Sequence, residues 1–298
     1  MYEFDCPAPV RVLTRLGAGS LEITAEPRET ATVEVTPYDE TDAGREAAAR
    51  TRVDLRDGRL TVEAPEGWLL RRSPRLRVAL RVPLDCTLHV KVASADTNCH
   101  GRYASAVVNT ASGDVYVEHV TGDVSANTAS GDLRFVEVGG QLRVNMASGD
   151  ITAQAVGGEL TIHSASGEVA VEQIAAGARV TTASGDVRIG AARRGVVRIT
   201  CASGDVSVGV TEGTGVWLDL VTMSGKTRSD LSVTPAAPAT GRPGLTVQVR
   251  TASGDIDVHR VTQPAAAPAG GGAAPAAPGS GRLAGSHVQP HRLTRTAR

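Results

Sequence analysis

One tetrapeptide returns along this chain at a fixed interval, and that periodicity restricts the possible folds more than any other feature. Ala-Ser-Gly-Asp begins at Ala111, Ala129, Ala147, Ala183, Ala202 and Ala252. Variants stand at Ala93-Ser-Ala-Asp96, Ala165-Ser-Gly-Glu168 and Met223-Ser-Gly-Lys226. From Ala93 to Ala183 every step is 18 residues, and later steps are 19, 21 and 29. A unit this short cannot bury an apolar face alone and must stack on its neighbours, so a fixed period of this kind marks a solenoid.

Within one unit the apolar residues alternate. Leu142, Val144 and Met146 precede one motif, and Ile151, Ala153 and Val156 follow it; Val115, Val117 and Val120 follow another. Polar residues such as Arg143, Thr161, Tyr116 and Arg134 fall between them. Period-two alternation with one dry face reads as two short strands per unit. One turn is the Ser-Gly-Asp corner. A second follows at Gly122-Asp123, Gly139-Gly140 and Gly157-Gly158. Glycine at both corners is expected to supply positive φ, with Ser and Asp bonding nearby amides.

The expected fold is therefore all-β: a single-stranded β-solenoid of about 18-residue coils, two strands per coil, stacked in parallel. Nine such coils would make a rod of roughly 40 Å. A left-handed hexapeptide helix also takes 18 residues per turn, but stepping by six from Val115 lands on Thr121 and Asn127. That register fails, and with it the main reason to expect an acyltransferase.

Three regions follow. Residues 1–84 form a β-rich cap over the sticky edge of the first coil, 85–262 the repeats, and 263–298 a disordered Ala/Pro/Gly-rich basic tail. In the cap, residues 10–37 read as an opening hairpin: Val10 to Leu16, a turn at Gly17-Ala-Gly19, then Leu21, Ile23 and later Val33 and Val35. Asp42 to Arg50 reads as a short helix, Asp57-Gly58 as a tight hairpin turn, and Leu76 to Val82 as an alternating strand. Gly67 to Pro74 and Pro235 to Gly244 read as loops. The tail from Pro264 lacks apolar periodicity and should be dispensable for folding.

The near-neutral charge, −1 over 298 residues, gives no electrostatic case for nucleic acid. Met1 to Pro7 carries no signal-peptide pattern, and no apolar run is long enough to span a membrane, so a cytoplasmic location is expected. Cys6, Cys86, Cys99 and Cys201 form no C-x-x-C pair and read as reduced, with Cys201 a small core residue.

The repeat corner, the Gly17-Ala-Gly19 turn, Asp57-Gly58-Arg59-Leu60 and Ala64-Pro-Glu-Gly-Trp68 together resemble the bacterial putative-adhesin β-strand-repeat family, a domain of otherwise unknown function. The resemblance covers residues 1 to about 260. It implies a β-solenoid with no established enzyme activity and no catalytic residues to carry over.

The sharpest candidate for chemistry is the acidic column Asp114, Asp132, Asp150, Glu168, Asp186, Asp205 and Asp255, which Lys226 is expected to interrupt. Carboxylates stacked at about 4.8 Å repel by roughly 1 kcal/mol in water, so something must offset them. Calcium would do so, but nonapeptide calcium solenoids place the Asp differently after a double-Gly turn. Bonds from corner amides are the plainer expectation. A uniform ladder also singles out no acid/base pair for glycoside cleavage. Ser-Gly-Asp is no nucleophile elbow. His89, His100, His119, His163 and His259 sit at no metal-ligand spacing. Asn109, Asn127 and Asn145 fall on one outward column, expected to form an amide ladder. Ala147 is expected to point into the stack.

No catalytic, cofactor or metal residue is assigned. The chain is expected to be a non-enzymatic binding or scaffold module for a protein partner. An envelope adhesin-like module binding glycan or protein is the alternative, and a carbohydrate-active enzyme on the same scaffold a further one.

Overall fold

The computed structural model describes residues 1–65, 74–231 and 244–262. The loop expected over residues 67–73, most of that between Pro235 and Gly244, and the tail lie outside the described residues.

The repeats form a parallel solenoid with two faces. The leading face, before each Ser-Gly-Asp corner, contains Val124–Thr128, Leu142–Met146, Leu160–Ser166, Ala178–Ser184 and Gly195–Ser203. The trailing face, after it, contains Val115–Val120, Leu133–Val138, Ile151–Val156, Val169–Ile174, Val187–Ala192 and Val206–Thr211. Register follows the 18-residue repeat: Leu133 lies between Val115 and Ile151, and Leu142 between Val124 and Leu160. Inward side chains from both faces make one core, filled by β-branched and Leu residues. Its two largest fully buried side chains are Tyr103 and Phe135. β-Branched residues suit a pleated surface buried on one side, which is why the alternation holds through every coil.

At both ends the chain visits the coils out of order. Arg11–Glu26 stacks in parallel on Cys86–Ser112, with Val12 beside Leu88 and Leu21 beside Thr97. On its other side lie Arg59–Glu63 and Arg75–Pro83, also parallel. The opening hairpin is therefore not formed: Gly17-Ala-Gly19 is a coil corner in register with the Ala93 motif. Alternation looks the same in a hairpin and in a coil, because only the pairing partner separates them. At the far end, Leu245–Ser253 and Ile256–Val261 pair directly with Gly195–Ser203 and Val206–Thr211. The earlier segments Val216–Ser224 and Thr227–Ser229 lie outside them, as the last coil.

In spatial order the coils among the described residues begin at Arg59, Arg11, Cys86, Ala106, Val124, Leu142, Leu160, Ala178, Gly195, Leu245 and Val216, eleven of them. Ten steps of about 4.8 Å make a rod of about 48 Å. Each outermost coil is bracketed in sequence by inner ones. Its ends are thus tied to the stack, and it cannot fray as a free terminus would.

The N-terminal end is closed by antiparallel strands. Thr30–Pro37 pairs with Arg75–Pro83, Tyr2–Asp5 pairs with Thr30–Pro37, and Arg52–Arg56 pairs with Arg59–Glu63. The last hairpin turns at Asp57 and Gly58, both left-handed at φ 50° and 68°. The helix Asp42–Arg50 packs on this cap. Thr41 is its N-cap, its hydroxyl accepting from the Gly44 amide at 3.1 Å, and Asp42 stands in the first turn.

The two corners use glycine for different reasons. At the Ser-Gly-Asp corner Gly149 has φ 117°. The second-corner glycines Gly139, Gly140, Gly157 and Gly158 are not in the positive region, contrary to expectation. There the constraint is contact: a Cβ on Gly158 would sit 2.5 Å from the backbone of Gly140 in the coil before. Ala147 is also corrected. It is exposed, and Met146 beside it is the buried residue. Leu142, Val144 and Met146 take the inward positions, so the same two-residue alternation turns Ala147 outward.

Candidate functional site

The acidic column forms two hydrogen-bonded runs that meet at Glu168, whose longer side chain pairs with Arg188 Nη1 at 3.3 Å instead of accepting from the Asp186 amide. In the first run the amide of each residue donates to Oδ1 of the one before: Asp132 to Asp114 at 2.9 Å, Asp150 to Asp132 at 2.9 Å, and Glu168 to Asp150 at 2.8 Å. Asp205 donates to Asp186 at 2.8 Å, and Asp255 to Asp205 at 2.7 Å. A hydrogen bond to a charged acceptor contributes about 1.5–3 kcal/mol, against roughly 1 kcal/mol of repulsion between solvated neighbours. The amides suffice. Among the described residues no group of three or more His, Cys, Asp or Glu is placed to hold a metal ion.

Lys226 does not interrupt this column; it ends it. Its amide donates to Oδ1 of Asp255 at 2.8 Å, and its coil is the outermost. At the other end Ser20 stacks on Asp96, and Arg77 stacks on Ser20. The carboxylate run is therefore bracketed by two cations. The Asn column is formed as expected, with Asn127 Nδ2 to Asn109 Oδ1 at 3.0 Å and Asn145 Nδ2 to Asn127 Oδ1 at 2.9 Å.

The ladders leave most of the trailing face uniform; register slips between Ile189 and Ala192 and, nearer the cap, where a hollow opens. A concavity of about 550 Å³ is lined by Asp96, Asn98, His100, Asp114, Tyr116, Asp132 and Arg134. A bulge builds it: register slips between Cys99 and Arg102 against the next coil. Gly101 turns the bulge at φ 92°, and its amide donates to Glu118 Oε2 at 2.7 Å. Beneath it Tyr103, fully buried, donates to the carbonyl of Ile23 and reaches that of His100, each at 2.8 Å. Burial, above all, raises the Tyr103 hydroxyl well above its ordinary pKa. On the flank Arg102 makes a two-pronged contact with Asp85, both at 2.8 Å.

This scaffold sets the His100 ring against Tyr116, centroids 5.3 Å apart and planes at 44°. Glu118 lies between two histidines, 3.9 Å from His100 Nδ1 and 3.6 Å from His119 Nε2, and His119 Nδ1 meets Glu137 at 3.2 Å. His100 and His119 look unrelated in sequence because they share no column: the bulge pairs His119 with Arg102, and Glu118 links the two rings. The signal that could have found the site is Gly101, a glycine where the repeat has none. His89, His163 and His259 lie elsewhere; His259 Nδ1 contacts Asp257 at 2.8 Å. The four cysteines are buried and free.

The geometry defines a two-faced parallel β-solenoid, capped at its N-terminal end, with an acidic, partly aromatic hollow near that end. Within it residues 87–158 match the family model described as Toastrack DUF4097, so the resemblance read from the motifs holds over that stretch. No curated protein matches the chain. Among solved structures it is similar to a putative adhesin from Bacteroides fragilis, with TM-score 0.41, 9% identity, and 87% of this chain and 95% of that chain covered. A putative lipid binding protein from Parabacteroides distasonis gives TM-score 0.40, 14% identity and coverage of 88% and 96%. A putative adhesin from the same organism gives 0.39, 13%, and 87% and 95%.

Proposed function

We propose that this chain is a non-enzymatic binding module, and that the hollow around Tyr116 receives a basic segment of a protein partner. The observation that carries this reading is the hollow's composition. Asp96, Asp114 and Asp132 line it against the single guanidinium of Arg134, and Glu118 and Glu137 lie beside it. Each of these three aspartates spends one oxygen on an amide and keeps the other for solvent or ligand. Tyr116 offers a ring face to a Lys or Arg, a contact of about 0.5–1 kcal/mol at an exposed site. Asp96, Asp114 and Asp132 are all exposed, not set in the contrasting surroundings that acid/base cleavage would need.

A glycan is the second reading, favoured by the His100–Tyr116 ring pair beside hydrogen-bonding carboxylates. An array presenting Lys/Arg-rich peptides, acidic peptides and glycans tests both. Basic peptides should bind the wild type and lose most of that binding in Tyr116→Ala. Retention of glycans, lost in the same variant, would favour the second reading. Binding unchanged by Tyr116→Ala would remove the hollow from either. Fractionation of the native host tests the expected cytoplasmic location against the envelope.

A further inference from the structure

We infer that the open end of the solenoid is the surface through which two copies of this chain associate, end to end about a twofold axis. The two ends are built differently. The N-terminal end carries antiparallel strands and a helix across its first coil. At the other end Val216–Ser224 pairs only with Leu245–Ser253 among the described residues, leaving a nine-residue edge. Its inward side chains Val216, Leu218 and Leu220 are only partly covered. Its outward side chains include Trp217, 48% exposed, Val221, 47%, and Met223, 85%. An exposed apolar edge without proline, bulge or lysine is a template for another strand.

The sequence of that edge selects a second copy of itself. Paired antiparallel about Leu220, it sets Trp217 opposite Met223, Asp219 opposite Val221 and Leu218 opposite Thr222. Opposed residues in antiparallel strands share a face, so inward meets inward and outward meets outward. Leu220 and Ser229 are equally far along the chain from the corner at Ser224-Gly225. The same axis therefore passes near Ser229 on the trailing face, and there it sets Arg228 opposite Asp230 of the second copy, twice. Both residues are exposed. No like charges oppose each other in this register, and Lys226 stands at the end of each carboxylate column. Such a contact is isologous and closes at two copies.

Sedimentation equilibrium of the full chain, from about 1 to 100 µM, tests this. The wild type should dimerise. Arg228→Asp and Asp230→Arg should each weaken the dimer at least about tenfold, and the double reversal should restore it. Asp230 also accepts from the Arg260 amide, a bond that the double variant lacks too, so restoration isolates the contact between copies. Leu220→Cys, its own partner on the axis, should give a covalent dimer on mild oxidation. A wild type that stays monomeric throughout, another occupant of the edge included, overturns the inference. So does a dimer that neither reversal weakens and Leu220→Cys does not link. A dimer that loses the array ligand, or binds it unchanged, bears only on the hollow.

Discussion

The amide of Lys226 donates to Oδ1 of Asp255 at 2.8 Å, although Asp255 follows it by 29 residues. The contact joins the last coil in space to the last coil in sequence. It also accounts for the lysine. Each earlier aspartate of the column receives an amide from the coil beyond it, whereas position 226 has no such coil among the described residues. A carboxylate there would add repulsion without that bond. Lys226→Asp should therefore lower stability by about 1 kcal/mol at low salt, less at 0.5 M, and Lys226→Gln by less than half as much. Urea unfolding at the two salt concentrations checks it; equal loss in both variants would mean that the charge is not what matters.

The motif's own residues are separable by direction. Ala147 is exposed, so Ala147→Leu should change stability by less than about 0.5 kcal/mol. Gly149 has φ 117°, and a Cβ there would lie 2.5 Å from the carbonyl oxygen of Gly131. Gly149→Val should cost several kcal/mol, roughly 3 or more, because left-handed strain and backbone overlap add. Arg143→Ser, on an exposed position, should be nearly neutral. Urea midpoints for the three variants give the order directly.

The repeat was legible because its period is strict where the coils follow one another in sequence, from Ala93 to Ala183. Inward columns such as Leu142, Val144 and Ile151 could be read from alternation alone. What was not legible is which coil neighbours which at the ends. The alternation around Leu21, Leu218 or Val249 is the same whatever it stacks on. Only the pairing shows that Val249 lies between Ile199 and Leu220. The step of 29 from Met223 to Ala252 recorded this detour, but only as a gap. The hollow was hidden for a related reason, since one bulged residue at Gly101 takes His100 out of its column.

Thr97 carries a conflict inside the core. Its hydroxyl is buried with no hydrogen-bond partner, between Leu21 in one neighbouring coil and Val115 in the other. A buried hydroxyl without a partner costs about 1–3 kcal/mol, and valine has nearly the same shape. Thr97→Val should stabilise the protein by about 1 kcal/mol, seen as a higher urea midpoint with an unchanged slope. A loss of stability would mean that a water or a carbonyl serves the hydroxyl in solution.

Alkaline pH should unfold the chain through its thiols. Burial pushes Cys99 up to about 12, and burial, partly opposed by the amide of Val10, pushes Cys86 up to about 11. An unfolded thiol ionises near about 8.5. The folded state therefore keeps protons that the unfolded state gives up, so stability falls as pH rises. For each thiol the contribution is fully present below about pH 8.5 and is lost as pH climbs through the folded value, near 11 or 12. Each group adds up to about 1.4 kcal/mol per pH unit to the slope within its window. Tyr103, raised in the same direction by burial, joins above about pH 10, the ordinary range of a phenol. Unfolding free energies from urea titrations at about pH 8, 9.5 and 10.5 should decline progressively. Cys99→Val should start from a different stability but decline less steeply, because one of the four thiols that burial raises no longer titrates. Parallel declines in the two proteins would show that Cys99 reaches solvent in the folded state, and that the coil from Cys86 to Tyr103 opens before the rest of the stack.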